Sequence, residues 1–181
     1  MRSEPVVAGA AGPARDSELF AGENLARIPG AADGICAIIR HVTVVVDTNV
    51  FVAALLGPTG ASRSILRACL DGRLLPLMGA ALFAEYESLI SREALFRRCL
   101  LDSTQREAVL NAFLSVCRWT VIYFSWRPNL RDEADNHLIE LAVAGGASAV
   151  VTKNVRDFRS AELHFPGLRI LQPEELLKEM T

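Results

Sequence analysis

From residue 42 onward the apolar positions keep changing period. Val42-Thr43-Val44-Val45-Val46 is an uninterrupted β-branched run, the pattern of a strand covered on both faces as in a parallel sheet. Leu82, Phe83, Tyr86, Leu89 and Ile90 instead recur at helical spacing and form one apolar stripe. The same alternation along the chain predicts a strand over 42–47, helices through 61–71 and a strand over 74–77. Helices over 80–90, 92–100 and 104–116 follow, then a strand over 119–123, a helix over 133–144, strands over 148–152 and 168–171, and a closing helix from Pro173. Strands alternating with helices imply an α/β fold whose parallel sheet is reached by right-handed crossovers. Residues 1–40 keep neither period: they are rich in Ala, Gly and Pro with scattered acids, and Pro29-Gly30 interrupts the one amphipathic stretch, between Leu25 and Ile39. They are expected to form a poorly ordered extension to a single domain over 41–181.

Composition narrows the picture. At 181 residues, 51% hydrophobic and 22% charged, the chain is long enough for one well-buried domain. Its formal charge of -2 argues against a protein that coats nucleic acid through bulk positive charge. A local basic patch remains open, with Arg63, Arg67, Lys153, Arg156 and Arg159 as candidates to rim a site; scattered surface arginines are the equal alternative. Cys36, Cys69, Cys99 and Cys117 contain no Cys-x-x-Cys pair, so neither a zinc site nor a redox motif is indicated, and reduced thiols in a cytoplasmic protein are expected. His41, His137 and His164 fall into no ligand spacing; His137 is expected on a helix surface, although its closeness to Asp135 leaves a supporting role open. No segment of signal-peptide type follows a basic start, and no apolar run is long enough to cross a membrane.

The candidate chemistry gathers at the ends of strands. The first strand stops abruptly at Asp47-Thr48-Asn49, where ligands bind in parallel α/β sheets. All three residues are also good N-caps, so simple helix capping is an even alternative for Asp47 taken alone. Further on, Asp132 and Asp135 stand three apart at a helix start and share a face there. That helix leads to a second strand, Ala149-Val150-Val151-Thr152, and then to Lys153-Asn154-Val155-Arg156-Asp157-Phe158. One acid at a strand end and two at a neighbouring helix start supply the oxygen ligands that a hard divalent cation needs. In the helix between, Glu85 and Glu87 flank the apolar stripe at similar angles, and periodicity does not choose between them.

Taken in order, these segments resemble the PIN-domain family of metal-dependent nucleases, in particular the toxins of type II (VapC-like) toxin-antitoxin pairs. The resemblance runs from about Val42 to Lys178 and rests on the ordered set: Asp47-Thr48-Asn49, Glu85, the Asp132 to Asn136 block, and Val151-Thr152-Lys153-Asn154 with Arg156-Asp157-Phe158. It implies a single domain with sheet order 3-2-1-4-5 and helices on both faces. It also implies Asp47, Glu85 and Asp135 as ligands of magnesium or manganese, Asp132 as a fourth catalytic acid, and Thr48, Asn49, Thr152, Asn154 and Asp157 as the residues around them. One departure stands out: many relatives carry an acid where this chain has Asn154, so a fourth carboxylate would have to come from Asp132 or Asp157. Relatives begin almost at the first strand, which implies a start near Val42 or Val44.

What the resemblance implies in function is hydrolysis of single-stranded RNA by a metal-activated water, with RNA as substrate, an antitoxin as protein partner and a homodimer as the assembly. Leu55, Leu56, Ile65, Leu66 and Leu70 are expected to offer more apolar surface than one sheet face needs, in keeping with such a dimer. Two other readings share parts of this pattern. An aspartate-nucleophile phosphotransferase also puts an acid at a strand end, but it usually wants a second Asp two residues later, where this chain has Asn49. A catalytically weak RNA-binding module of the same fold finds its one hint in Asn154.

Overall fold

The computed structural model describes residues 42–125, 130, 133–158 and 163–180. The extension expected over 1–40, together with Cys36, His41, Asp132 and Arg159, lies outside the described residues. Five strands form one sheet: β1 (Val42–Val46), β2 (Leu74–Met78), β3 (Arg118–Trp119), β4 (Ala149–Val151) and β5 (Arg169–Leu171). Their order is β3-β2-β1-β4-β5, and every pairing is parallel, as the sequence implied. Helices α1 (Thr48–Leu56), α2 (Ala61–Leu70), α3 (Ala80–Ile90), α4 (Ser103–Val116), α5 (Asn136–Gly145), α6 (Val155–Phe158) and α7 (Pro173–Glu179) make the connections. None of the described helices is long and apolar enough to cross a membrane.

The valine run explains the centre of this arrangement. Successive strand residues point to opposite faces, yet Val44, Val45 and Val46 are all buried, so both faces of β1 are covered. On one flank α2 packs against α1, α4 and α7, while α5 packs against β1, β2 and β4. Leu55, Ile65 and Leu66 are spent in this packing; Leu56 and Leu70 stay about two-fifths exposed, a smaller apolar surplus than the sequence suggested. Helix α5 is buried on every side from Asn136 to Ala142, and it ends where Gly146 adopts a left-handed conformation. That turn closes the helix and returns the chain directly into β4.

Two predicted elements are shorter than expected. The helix over 92–100 is only a 3₁₀ turn at Glu93–Phe96, because a buried side chain holds the segment in another shape. Arg106, in α4, donates to the Leu101 carbonyl at 3.1 Å, pairs with Glu93 and lies over the Phe96 ring at 4.5 Å. Strand β3 covers only Arg118–Trp119 instead of 119–123. It joins β2 beyond Pro76, at Leu77 and Met78, in keeping with a proline's inability to donate to a ladder.

At Gly145 α5 lies hard against Leu77 of β2. A Cβ added there would stand 2.2 Å from Leu77 Cδ1 and 3.3 Å from its Cγ, and Leu77 is fully buried. Gly145→Ala would gain up to about 1 kcal/mol in helix propensity, but overpacking of this kind costs roughly 1–3 kcal/mol. Net destabilisation is therefore expected, read as a lower midpoint in urea unfolding. An unchanged or higher midpoint would mean that Leu77 has room to move.

Candidate active site

The site starts from one buried acid. Asp47 follows the last residue of β1, and its backbone N–H donates to Val151 O at 2.9 Å, which fixes it against β4. It is the N-cap of α1, with the Asn49 N–H donating to Oδ1 at 3.1 Å. Its other oxygen accepts from Thr152 Oγ1 at 2.6 Å and from Asn49 Nδ2 at 2.7 Å. The capping reading is thus met, and the same residue stands at the switch point of the sheet. Burial pushes its carboxyl above the usual range, against the hydrogen bonds from Thr152 and Asn49, with the Glu85 charge adding to the rise.

The residues around Asp47 hold one another in place. Asn49 accepts from the Lys153 N–H at 3.0 Å through Oδ1, which orients its amide N–H₂ toward Asp47 and toward Thr152 Oγ1 at 3.1 Å. Thr152 also accepts from the Asn154 N–H at 3.0 Å. Its hydroxyl thus accepts twice and donates once, using its full capacity. Asn154 in turn donates its side-chain amide to Asp157, at the start of α6.

Glu85, and not Glu87, faces this cluster. Thr48 Oγ1 donates to Glu85 Oε1 at 2.8 Å and lies 3.3 Å from Asp47 Oδ1, so a single hydroxyl spans the two carboxylates. Next in sequence, Tyr86 is fully buried and donates to the Val46 carbonyl at 2.9 Å, which pins α3 beneath the end of β1. Glu87 is exposed and lines a separate recess.

His137 corrects the sequence reading. It is buried in α5 rather than displayed on a helix surface. Its Nδ1 lies 2.6 Å from the Ala134 carbonyl and its Nε2 3.3 Å from Glu85 Oε2, an ionic contact that is not aligned as a hydrogen bond. An oxygen thus lies near each ring nitrogen, a setting that favours the protonated ring. Burial pushes the imidazole down, but Glu85, the Ala134 carbonyl and Asp135 outweigh it, and the net shift is upward. The contact with His137 holds the Glu85 carboxyl low, against partial burial and with help from Thr48.

Asp135 stands at the N-cap position of α5 without a side-chain capping hydrogen bond, close enough for its charge to act on His137. Asp132 lies outside the described residues. Among the described residues no three His, Cys, Asp or Glu side chains are grouped closely enough to hold a metal ion. The donor chemistry nevertheless suits a hard cation. Asp47 is buried with neutral donors, Thr152 and Asn49, bonded to it, and magnesium commonly takes one or two carboxylates together with substrate oxygens and water.

The basic rim is smaller than the sequence suggested. Arg63 donates to the Ala54 and Gly57 carbonyls at the far end of α1, and with Arg67 it lines recesses that contain none of the site acids. Lys153 and Arg156 are exposed in the segment after β4, beside Asn49 and Asp157. The three described cysteines are free thiols, and burial pushes Cys69 and Cys117 up to about 12.

The raised Asp47 carboxyl has a signed consequence for stability. Its proton is held to higher pH in the folded than in the unfolded chain, whose value is about 3.9. The stability this group contributes is therefore complete below that value and lost as pH rises through the raised folded value. In chelator, the stability of the wild type relative to Asp47→Asn is expected to fall across this window and then level off, as measured by urea unfolding at a series of pH values. A difference that grows in favour of the wild type would show that the donors more than offset desolvation.

A family model described as PIN domain matches residues 43–156. Among solved structures, VapBC2 from Rickettsia felis bound to a DNA fragment from their promoter is similar at 16% identity, with 72% of this chain and 98% of that chain covered and a TM-score of 0.50. DNA-bound VapBC from Salmonella typhimurium is similar at 16% identity, with 73% and 98% covered and a TM-score of 0.49. No curated protein matches the sequence.

Proposed function

The chain belongs to the PIN domain family of nucleases, and on that premise we propose that it is a metal-dependent endoribonuclease acting as the toxin of a toxin-antitoxin pair. One observation carries the reading: Thr48 joins the buried Asp47 to the half-exposed Glu85 at the switch point of the sheet. An acid that is only a helix cap has no need of a second carboxylate on the same hydroxyl. Asp47 and Glu85, with Asp135 from the start of α5, would hold magnesium or manganese. Bound there, such an ion would supply Lewis acidity and neutralise charge at the scissile phosphate.

The chain's own residues do the rest. Asn49 and Thr152 hold the Asp47 carboxylate in one orientation, and Thr48 does the same for Glu85. His137 steadies the other Glu85 oxygen and partly neutralises it, which makes His137 a positioning residue. Lys153 and Arg156, after β4, are suited to the RNA backbone flanking the cut. Single-stranded RNA fits because its backbone can bend into a recessed acidic site.

The partner is carried over from the family resemblance and from the Rickettsia felis neighbour, which is a VapBC2 assembly. Self-association enters the proposal through Leu56 and Leu70, the apolar residues that the domain leaves partly exposed. The binding-module alternative draws on Asn154, whose amide is turned to Asp157, and on the absence of a three-acid cluster among the described residues.

Incubating labelled RNA with and without magnesium separates the two, because a binder shifts the RNA without shortening it. Cleavage that stops in chelator is expected. Losing several kcal/mol of charge stabilisation should make Asp47→Asn and Glu85→Gln roughly 10²- to 10³-fold slower. Thr48→Val, which loses an orienting hydroxyl, should cost about 10- to 100-fold. Magnesium at a hundred times its Kd should stabilise the wild type by about 2.7 kcal/mol and leave Asp47→Asn nearly unmoved. Full activity in chelator, or RNA bound but uncut at every magnesium and manganese concentration, rejects the proposal.

A further inference from the structure

A second recess opens at the carboxyl edge of the sheet, where the chain leaves β3. The Thr120 N–H still donates to the Met78 carbonyl at 2.8 Å, after which residues 121–125 run on without regular structure. Gly79 lets this segment lie close over the end of β2: a Cβ added there would stand 3.1 Å from Leu141 Cδ1 and 3.8 Å from Ile122 Cδ1. Ile122 is thereby drawn toward the core, while Trp119, Val121, Tyr123 and Phe124 stay between 54% and 83% exposed. Between this segment and the starts of α3 and α5 lies a cleft of about 430 Å³, bordered by Ala80, Trp119, Val121, Ile122 and His137. That size falls within the roughly 300–1,000 Å³ of small-molecule sites.

Its lining and its neighbourhood point to the class of occupant. Phe83 meets the Trp119 ring edge to face with centroids 5.4 Å apart, so a ring that solvent reaches is also held in one orientation. An aromatic both exposed and held is a stacking surface for a flat ring. Among the described residues, His137 aside, no basic side chain lines the cleft, so it is not built for a phosphate. The charged groups lie next door. His137 forms the wall shared with the acidic site, where its Nε2 stands 3.3 Å from Glu85 Oε2, and Lys153 and Arg156 follow β4. A ligand with its charge at that site and a flat uncharged ring one side chain away is divided as a nucleotide is. Glu140 also borders the cleft, but it is buried and engaged within the fold and is not offered to a ligand.

We infer that this cleft seats the base of the nucleotide next to the scissile phosphate by stacking it on Trp119, and that it grips by ring size and not by the base's edge. The inference rests on RNA as the substrate. Every base has a face to stack, which makes such a seat tolerant of sequence. The hydroxyls within the cleft, those of Thr120 and Ser125, both donate and accept, so they suit either kind of edge group. Ala80, Val121 and Ile122 add apolar contact and no hydrogen-bonding side chain. Purines cover more of Trp119 than pyrimidines do and bind better, while guanine and hypoxanthine, equal in ring size, bind alike. Such a seat gives the proposed nuclease a hold on its substrate that needs no positive charge, in keeping with a chain whose formal charge is -2.

Calorimetric titration of the full chain with nucleoside 5′-monophosphates tests this without requiring cleavage, since they contain no phosphodiester to cut. The adenosine, guanosine and inosine nucleotides should bind within a few-fold of one another. Each should bind more tightly than ribose 5-phosphate by roughly 5- to 150-fold, the worth of one stacked base, with the uridine nucleotide in between. Trp119→Ala should bring the nucleotides close to ribose 5-phosphate, whose own binding stays unchanged, and Trp119→Phe should restore part of the difference. Three results overturn the inference: nucleotides bound by the wild type no better than ribose 5-phosphate, nucleotide binding unchanged in Trp119→Ala, or guanosine favoured over inosine by about tenfold or more, the mark of a hydrogen bond to the edge. In RNA cleavage Trp119→Ala should raise KM and leave kcat unchanged, as loss of uniform binding does. Trp119-dependent nucleotide binding with no cleavage of any RNA sinks the ribonuclease reading and keeps the seat. Cleavage whose KM does not move in Trp119→Ala, with nucleotides bound like ribose 5-phosphate, sinks the seat and keeps the ribonuclease.

Discussion

A carboxylate can be buried at the end of a strand only if its lone pairs are met, and at Asp47 the donors that meet them come from two directions. Thr152 arrives from the end of β4 and Asn49 from the first turn of α1. Asn49 can serve because Lys153 holds its carbonyl oxygen, and Thr152 is fixed because Asn49 and Asn154 donate to it. The β1–β4 junction is thereby closed by side chains as well as by the ladder. Everything proposed for the site depends on this closure, since it decides which way the one deeply buried acid faces.

The acids next to that junction are not equivalent. Asp47 is pushed up by burial and Glu85 is held low by His137, although a single threonine hydroxyl lies between them. The difference follows from their elements. Asp47 ends a strand covered on both faces, whereas Glu85 lies on the flank of α3 with its carboxylate partly in solvent. The pair is therefore one desolvated carboxyl group pushed above the ordinary range and one partnered carboxyl group held below it. A cation arriving at the site would relieve the first more than the second.

Much of this was legible in the sequence. The valine run, the helical stripe on α3 and the alternation of periods gave the strands and helices in the right order, because burial on both faces and on one face leave different residue patterns. The sheet order and the preference for Glu85 came from family resemblance, and periodicity alone could not supply either. His137 departs from the expected helix surface because α5 has no solvent face over Asn136 to Ala142. In α5, Asn136, His137 and Glu140 are polar residues in a helix buried all round, and the signal was there in how few polar positions the run contains. Arg106 escaped for a related reason: a lone arginine in α4 gives no hint that it will fold a predicted helix into a 3₁₀ turn. For Arg63 the outcome is the scattered-arginine alternative, because the Ala54 and Gly57 carbonyls at the end of α1 engage it.

The bond from Thr152 to Asp47 spans 105 positions of sequence, and this separation has a meaning in time. A ribosome adding about 5–20 residues per second needs roughly 5–20 s to travel from one to the other. During that interval Asp47 has emerged without its donor from β4 and stays an ordinary hydrated carboxylate. The acidic centre cannot take its final shape on a partly made chain, so birth of the polypeptide and onset of its chemistry are separated by the length of the gene between two codons.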